Sequence, residues 1–546
     1  MGAFVTSWNY AEVWEAIADV QPEATAIVQG DRRVSWGDFE QRARGIAAWL
    51  LSLGTAHQDK VALYMYNAPE YLEAVFGALR IGLVPVNTNY RYGDEELLYL
   101  WDNADAAAVV FHGTFSDRIE TIRTKAPKVK GWLWVDDGSG PCPPWATPFE
   151  EAATATVSEL SMPWERTPDD LIMLYTGGTT GMPKGVMWRQ DDLFARLNPA
   201  GFRRWDAERG VEGVVEAIRA EGPGLALLPA CPLMHGTGMF TAIETLAEGG
   251  RVVLLTNRRY VASELAATID AEGVNVAVIV GDPFARPLLE EIQIDPARFE
   301  LSSLVAMMSS GAMWSEEIKR GLLAHHAGMV LIDAFSSSEA LGMGSSVSAA
   351  GNEKGTGQFT LGPEVRVLTE DGRDVEAGSD EIGVLALGGR NPLGYYKDEA
   401  KSAATFRIID GERFSVPGDF ASVAADGTIQ LLGRGSQCIN TAGEKVFPEE
   451  VEEILKRHEA VVDACVVGVP DSRTGERVVA SVELGTGADV PSTEELIAHV
   501  KNHLSSYKAP RQIRVVETIG RSPSGKMDYG RHKAEASEWA VESTSS

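Results

Sequence analysis

The sequence predicts an α/β protein: a large N-terminal body of stacked α/β subdomains, then a β-rich subdomain, then a small C-terminal α+β domain. Three observations predict it. Short apolar runs alternate with helical patterns over the first 310 or so residues, as buried strands and amphipathic helices do. After about residue 360 Gly and Asp punctuate short segments that read as hairpins. Beyond Gly433 a separate helix–strand–strand–helix pattern begins.

Taken in order, KVALYMY (60–66) is a strand. PEYLEAVFGALRIG is a helix, because its apolar positions return at three- and four-residue intervals. AAAVVF (106–111), LALLPA (225–230), RVVLLT (251–256), VNVAVIVG (274–281) and SLVAMMSSG (303–311) are further buried strands. EVRVLTEDGRDV, IGVLALGG and DGTIQLLGRG are hairpin segments. A boundary falls near residues 433–437. After it come helix EEVEEILKRH, strand ACVVGVP, strand ERVVASVEL and helix TEELIAHVKNHL. The tail after about residue 535 is expected to fray.

The 546 residues suggest roughly three or four structural units. Hydrophobic residues make up 44% and charged residues 23%, which excludes a mainly disordered chain. Lys and Arg total 49 against 78 Asp and Glu, a net charge of −29. Such a field repels phosphate backbones and anionic membrane surfaces, so nucleic acid is excluded as a partner. The four cysteines form no CxxC and indicate neither a disulfide framework nor a zinc site. No signal peptide is visible, and no apolar run approaches the roughly 18 residues that span a bilayer. The expected location is the cytoplasm.

The most informative stretch is LIMLYTGGTTGMPKGVMW (171–188). An apolar strand runs into Thr176, Gly177, Gly178, Thr179, Thr180 and Gly181, with Lys184 after it. Glycines let backbone N–H groups approach a phosphate, threonine hydroxyls add donors, and the lysine adds charge. This is not the nucleotide-binding P-loop, which needs Gly-Lys-Ser/Thr adjacent; here Met182 and Pro183 separate Gly181 from Lys184.

YTGGTTGMPKG resembles the signature of the adenylate-forming superfamily of acyl-CoA synthetases, luciferases and peptide-synthetase adenylation domains. Other blocks follow in the family's order: CPLMHGTG (231–238), SSGAM (309–313), DAFSSSE (333–339), SVPGD (415–419), GRGSQCINTAGEKVFPEEVE (433–452) and SPSGKMD (522–528). VNTNYRYGDEELLYL, GDPFARPLLE and TAGEKVFPEEVE resemble bacterial ligases that activate fatty acids and steroid side chains.

The resemblance implies an adenylation domain over 1–434 and a mobile C-terminal lid over 435–546. It implies two half-reactions. A carboxylate attacks the α-phosphate of ATP, and the thiol of CoA then displaces AMP. The co-substrates are ATP and CoA, and the metal is Mg²⁺. Little proton transfer is needed in the first half, because a carboxylate is ionised at neutral pH; positioning and charge neutralisation carry it. Thr176 to Gly181 would hold the β- and γ-phosphates with Lys184 nearby, and Thr179 counts among the catalytic groups. Glu339 would hold Mg²⁺, which prefers carboxylate and phosphate oxygens. Phe335 would stack on the adenine, Asp333 would accept from its amine, and Ser338 would donate to a phosphate. Gly311 and Ala312 would border the nucleotide. Asp419 would take both ribose hydroxyls, with Arg434 beside it. Lys526 would bridge the α-phosphate and the attacking carboxylate. His235 would gate an acyl pocket walled by Met239, Phe240, Gly281, Phe284, Ser310 and Gly342, whose small residues favour a bulky or long acid over acetate. Ser436 would be the hinge, and Gly443 would line the CoA tunnel.

Ser436, Pro417 and Ser336 depart from the family pattern of Asp or Lys, Thr and Gly. The loss of glycine at Ser336 predicts a changed local backbone. Long-chain, steroid side-chain and branched aryl-alkanoic acids all fit as the small-molecule partner. A carrier-protein-loading adenylating enzyme and an inactive nucleotide-binding homologue are the alternatives. A homodimer is the assembly the resemblance implies.

Overall fold

The computed structural model describes residues 7–178, 181–441, 444–471, 473–485, 487, 490–522 and 525–540, with no side-chain detail at 178, 181 and 436. Two large sheets form the body. In the first, the parallel strands Thr25–Gln29, Arg251–Leu254, Ala226–Pro229, Val276–Ile279, Ala306–Ser309 and Val330–Ser337 lie side by side. These are mostly the continuous Val/Ile/Leu/Ala runs of the sequence, and the four inner strands are buried on both faces almost throughout, whereas Val330–Ser337 alternates buried and half-buried. The sheet continues antiparallel through Ala340–Ser348, Gln358–Leu361, Ile429–Arg434 and Asp419–Val423 into the β-rich region.

In the second sheet Lys60–Tyr64 pairs in parallel with Val84–Asn87 and Ala106–His112. Leu171–Gly178 joins Val84–Asn87 in parallel and turns back antiparallel into Gly181–Arg189. The helices Tyr10–Val20, Trp36–Ser52, Pro69–Arg80 and Gly236–Ala247 contribute to one core in which residues of both sheets are also buried. Pro69–Arg80 is buried from Pro69 to Leu79, which explains why it is apolar nearly all round.

The chain leaves the large sheet at Arg434 and enters a five-stranded one at Ile439. Its long hairpin, Val461–Asp471 with Gly475–Leu484, alternates faces. Ala464, Val466, Ala480 and Val482 meet the helices Pro448–Lys456 and Thr493–His503. Cys465, Val467 and Val479 meet the other face's cover. That cover corrects the expectation of a frayed tail as far as Ala540, residues 541–546 lying outside the described ones: Tyr529–Trp539 is helical, and Ala536 and Ala540 are buried against the sheet. Small residues dock there where the polar composition of EASEW had suggested solvent.

Candidate active site

The first sheet ends at a cleft between the body and the small C-terminal unit. A cavity of about 540 Å³ fills it, lined by Gly177, Gly311, Ala312, Asp333, Phe335, Asp419, Arg434 and Lys526 among others. Their place follows from topology. Asp333 and Phe335 lie on the last parallel strand, and Gly311 and Ala312 follow the strand before it. Ligands of such sheets bind outside the strands' carboxyl ends.

Lys526 comes from the C-terminal unit. Its loop docks on the body: a Cβ on Gly525, whose φ is +74°, would stand 3.1 Å from the Val280 carbonyl. Lys526 Cε lies 3.9 Å from where a Cβ of Gly311 would be. The side chain is open to the cleft but crowded by protein. That crowding pushes its ammonium below the usual lysine range, as does the charge of Arg434, while Glu339 opposes both. Burial is also the main force holding His235 down to about 3, reinforced by the charges of Lys526 and Arg91. His235 is therefore neutral and acts as a ring, at the start of the helix Gly236–Ala247.

Asp419 and Arg434 face each other across adjacent strands. Arg434 Nε donates to Asp419 Oδ1 at 3.2 Å, and Asp419 Oδ2 is buried with no partner. Burial raises the Asp419 carboxyl above its ordinary range against the pull of Arg434. An acceptor left bare beside a cavity is a place for a ligand's donors.

Glu339 is held from three sides. The Tyr395 hydroxyl donates to its Oε1 at 2.8 Å, Ser415 Oγ donates to its carbonyl at 2.7 Å, and Trp188 Nε1 donates to the neighbouring Ser338 carbonyl at 2.9 Å. Lys184 Nζ stands 5.8 Å from the centre of the Tyr395 ring. Among the described residues no group of three or more His, Cys, Asp or Glu could hold a metal ion. A metal here would thus take one carboxylate and complete its shell from substrate phosphates, as Mg²⁺ does.

Thr176 pairs with Lys184, and Gly178 with Gly181, across the Gly-rich hairpin. Thr179 and Thr180 at its tip, and Gly443, lie outside the described residues; Ser436 lies in the turn Gly435–Gln437, its side chain also outside them. The hairpin's base is clamped by Asn87, which the sequence reading did not single out. Its Nδ2 donates to the Tyr175 carbonyl at 2.9 Å and the Met234 carbonyl at 2.6 Å, and its Oδ1 accepts from Tyr175 N at 2.6 Å. One buried amide thereby joins the hairpin to the residue before His235.

Phe335 lies 5.5 Å from Phe359, tilted by 38°. Ser336 is not in the left-handed region. A bulge between Phe335 and Ser337 takes up the irregularity, and Ser336 Oγ accepts from Gly342 N at 2.9 Å. Asp333 accepts at 3.2 Å from Lys319 Nζ, itself buried and set over the Trp314 ring at 5.6 Å. Burial nonetheless pushes Asp333 up to about 6. Lys319 was missed too, although a signal existed: it shares the apolar face of its helix with Leu322 and Leu323.

Of the expected acyl wall, Met239 and Phe240 are buried in the core between the sheets. Phe284 packs against Tyr260, 4.7 Å between centroids. Gly342 is exposed with φ +80°, and Ser310 follows the strand Ala306–Ser309. Gly281 has φ +56°, and a Cβ there would fall 2.3 Å from the Met313 carbonyl. Gly281→Ala is expected to destabilise the protein by roughly 2–4 kcal/mol, read by urea unfolding, through strain plus clash.

The small unit's wall of the cavity carries Glu449 and Glu452, both buried and both raised mainly by burial. Holding those two acids toward neutrality lowers the negative charge of a lining that also carries Asp282, Glu453, Asp463 and Glu483.

Comparison with known proteins gives two family matches: "AMP-binding enzyme" over residues 14–396 and "AMP-binding enzyme C-terminal domain" over residues 450–526. A 3-oxocholest-4-en-26-oate–CoA ligase of Rhodococcus rhodochrous is 39% identical over 531 residues, covering 95% of this chain and 94% of that one. A medium/long-chain-fatty-acid–CoA/3-oxocholest-4-en-26-oate–CoA ligase of Mycobacterium tuberculosis is 38% identical, covering 98% and 96%. The solved anthranilate CoA ligase AuaEII, in complex with anthranoyl-AMP, shares the fold with a TM-score of 0.82 at 23% identity, over 98% of each chain.

Proposed function

The chain belongs to the AMP-binding enzyme family, and on that premise we propose that it is an ATP-dependent acid–CoA ligase acting on steroid side-chain or medium- to long-chain fatty acids. The observation that supports this reading most is the meeting of Lys526, Asp419, Arg434 and Gly311 around one cavity, with Lys526 supplied by the C-terminal unit.

The placement of those four, together with the family resemblance of the remaining positions, supports the following roles. The substrate carboxylate enters past His235, whose neutral ring carries no charge to trap it. Phe335 and the carbonyl-rich strand end receive the adenine, with Asp333 accepting from its amine. The bare Oδ2 of Asp419 accepts from a ribose hydroxyl, and Arg434 steadies the other oxygen. Thr176 to Gly181 and Lys184 cradle the β- and γ-phosphates. Glu339, oriented by Tyr395, is the residue that would hold Mg²⁺, which neutralises phosphate charge when bound. As the carboxylate attacks the α-phosphorus, pyrophosphate leaves and charge builds on the non-bridging oxygens. Lys526 lies where it can meet that charge, and its energy is greatest in the transition state. In the second half the small unit must withdraw Lys526 to admit the CoA thiol, a rigid-body movement about the turn containing Ser436; Gly443 would then line the thiol's path. Met239, Phe240, Gly281, Phe284, Ser310 and Gly342 are the proposed acyl surroundings.

Among the described residues no helix is long and apolar enough to cross a membrane. We place the enzyme in the cytoplasm as a homodimer; light scattering tests the assembly. The activity is tested by following AMP and thioester with ATP, Mg²⁺, CoA and a panel of acids. AMP and thioester should form in equal amounts with long or steroid acids and far less with acetate. Formation of neither with any acid would contradict the reading.

Lys319 supports Asp333 rather than the substrate. Burial holds Asp333 protonated at low pH and Lys319 opposes it, so the carboxylate acceptor is lost as pH falls through about 6. The KM for ATP should rise below that pH. In Lys319→Met the rise should move to higher pH, with kcat at saturating ATP little changed. An unaltered KM–pH profile would remove Lys319 from this role.

A further inference from the structure

Lys526 reaches the cleft from a short turn whose ends close on each other. Gly525 N donates to the Ser522 carbonyl at 2.8 Å, Ser522 N donates to the Lys526 carbonyl at 2.9 Å, and Lys526 N donates to Ser522 Oγ at 3.1 Å. Such bonds fix the shape of the turn but not its place on the small unit. That place is set from Arg521, the residue before it.

Arg521 Nε donates to Asp463 Oδ2 at 2.6 Å, and Nη2 donates to Asp463 Oδ1 at 2.9 Å. This is the two-pronged grip of a guanidinium on a carboxylate. The remaining nitrogen, Nη1, donates to the Gly525 carbonyl at 3.2 Å. That carbonyl belongs to the peptide leading into Lys526. Asp463 is itself anchored near the start of the strand Val461–Asp471, where Ala464 N donates to its Oδ1 at 2.9 Å. Both side chains are mostly buried, Arg521 17% and Asp463 18% exposed, and both line the cavity. One guanidinium thus ties the turn of Lys526 to the sheet of the small unit.

A buried ion pair is a weak source of stability, because desolvating both charges offsets their attraction. What the guanidinium supplies is direction. Its nitrogens are coplanar, so a carboxylate on one side fixes where the third nitrogen points. Its charge is not the link: the charges acting on the Lys526 ammonium are those of Arg434 and Glu339. On its other side the turn meets the body, where a Cβ on Gly525 would stand 3.4 Å from Pro283 Cβ. The turn is seated on both sides, and Lys526 extends from it into the cleft. An error of about 1 Å in such a placement is enough to cost roughly 10²-fold in rate.

We propose that Arg521, held by Asp463, is a positioning residue for Lys526, its hold on the Gly525 carbonyl setting where the lysine stands during adenylation. This rests on the acid–CoA ligase reading. Neither residue touches the reacting atoms; both act through Lys526.

The test is single-turnover pyrophosphate release, with the acid that turns over fastest in the panel, beside thioester formation from its pre-made adenylate. Arg521→Met should slow the first by roughly 10–100-fold and leave the second within about threefold, since Lys526 has withdrawn by then. Arg521→Lys keeps the charge without the planar grip and should stay slow. In a Lys526→Ala background, Arg521→Met should cost less than about threefold more, because the group it positions is gone. Arg521→Met strands a buried carboxylate, so Asp463→Leu combined with Arg521→Met, which leaves neither charge, is measured beside it and should show the same asymmetry. Unslowed adenylation in Arg521→Met, full recovery in Arg521→Lys, equal loss in both halves, or an undiminished further loss on top of Lys526→Ala would each overturn the proposal while leaving the ligase reading intact. No adenylation by the unaltered enzyme with any acid would overturn both.

Discussion

Lys526→Ala is expected to slow acyl-adenylate formation by roughly 10²–10³-fold, the usual cost of removing one well-placed charge-stabilising donor, while CoA attack on a pre-made adenylate keeps most of its rate. The asymmetry follows from geometry. Lys526 stands beside Gly311 in the cavity, close enough to Arg434 and Glu339 to feel both charges. Crowding and Arg434 disfavour its ammonium in the free protein. Incoming phosphate and carboxylate would reverse that balance, so the lysine gains most when the substrate's charge peaks. In the thioester half, on the proposed movement of the small unit, Lys526 has withdrawn and takes no part. Single-turnover measurement of each half separates the two, and equal loss in both would contradict the role.

Asp419→Ala is expected to weaken ATP binding by roughly 10²-fold. Two losses combine. The bare Oδ2 no longer meets a ribose hydroxyl, and Arg434 loses the carboxylate at 3.2 Å that holds it. Asp419 is buried but the Arg434 side chain is 46% exposed to the cleft, so water takes up part of the charge left behind and the lost ribose contact is the larger share. Asp419→Asn keeps the shape and should cost less. Calorimetric titration with ATP reads the effect without turnover. Unchanged affinity in Asp419→Ala would remove the residue from the nucleotide site.

Much of this site is legible in the sequence because its parts are backbone-driven. The hairpin from Leu171 to Trp188 announces itself through glycines between two apolar runs. Gly281 has no room for a side chain, and such positions leave glycine as their mark. The residues that orient others are harder to see. Asn87 and Tyr395 sit far along the chain from the groups they hold and Lys319 fourteen residues from Asp333, and each is an ordinary residue in an ordinary strand or helix. Their bonds exist only once folding brings those segments together. Lys319 left a trace, a cation on an apolar helix face. The C-terminal tail misled for the opposite reason: its polar letters hide two small residues that dock.

The net charge of −29 sharpens the electrostatics of the cleft. ATP, CoA and the carboxylate are all anions. Lys184, Arg434 and Lys526 must offset an acidic molecule locally, and burial, by raising the Glu449 and Glu452 carboxyls, lowers the negative charge these two bring to the cleft.

Acid-dependent exchange between ATP and labelled pyrophosphate, measured without CoA, tests the central claim most directly. Reversible adenylate formation predicts exchange that requires a long or steroid acid and Mg²⁺, disappears in Lys526→Ala, and gives thioester only when CoA is added. Absence of exchange with every such acid, or exchange that does not depend on the acid, would contradict it.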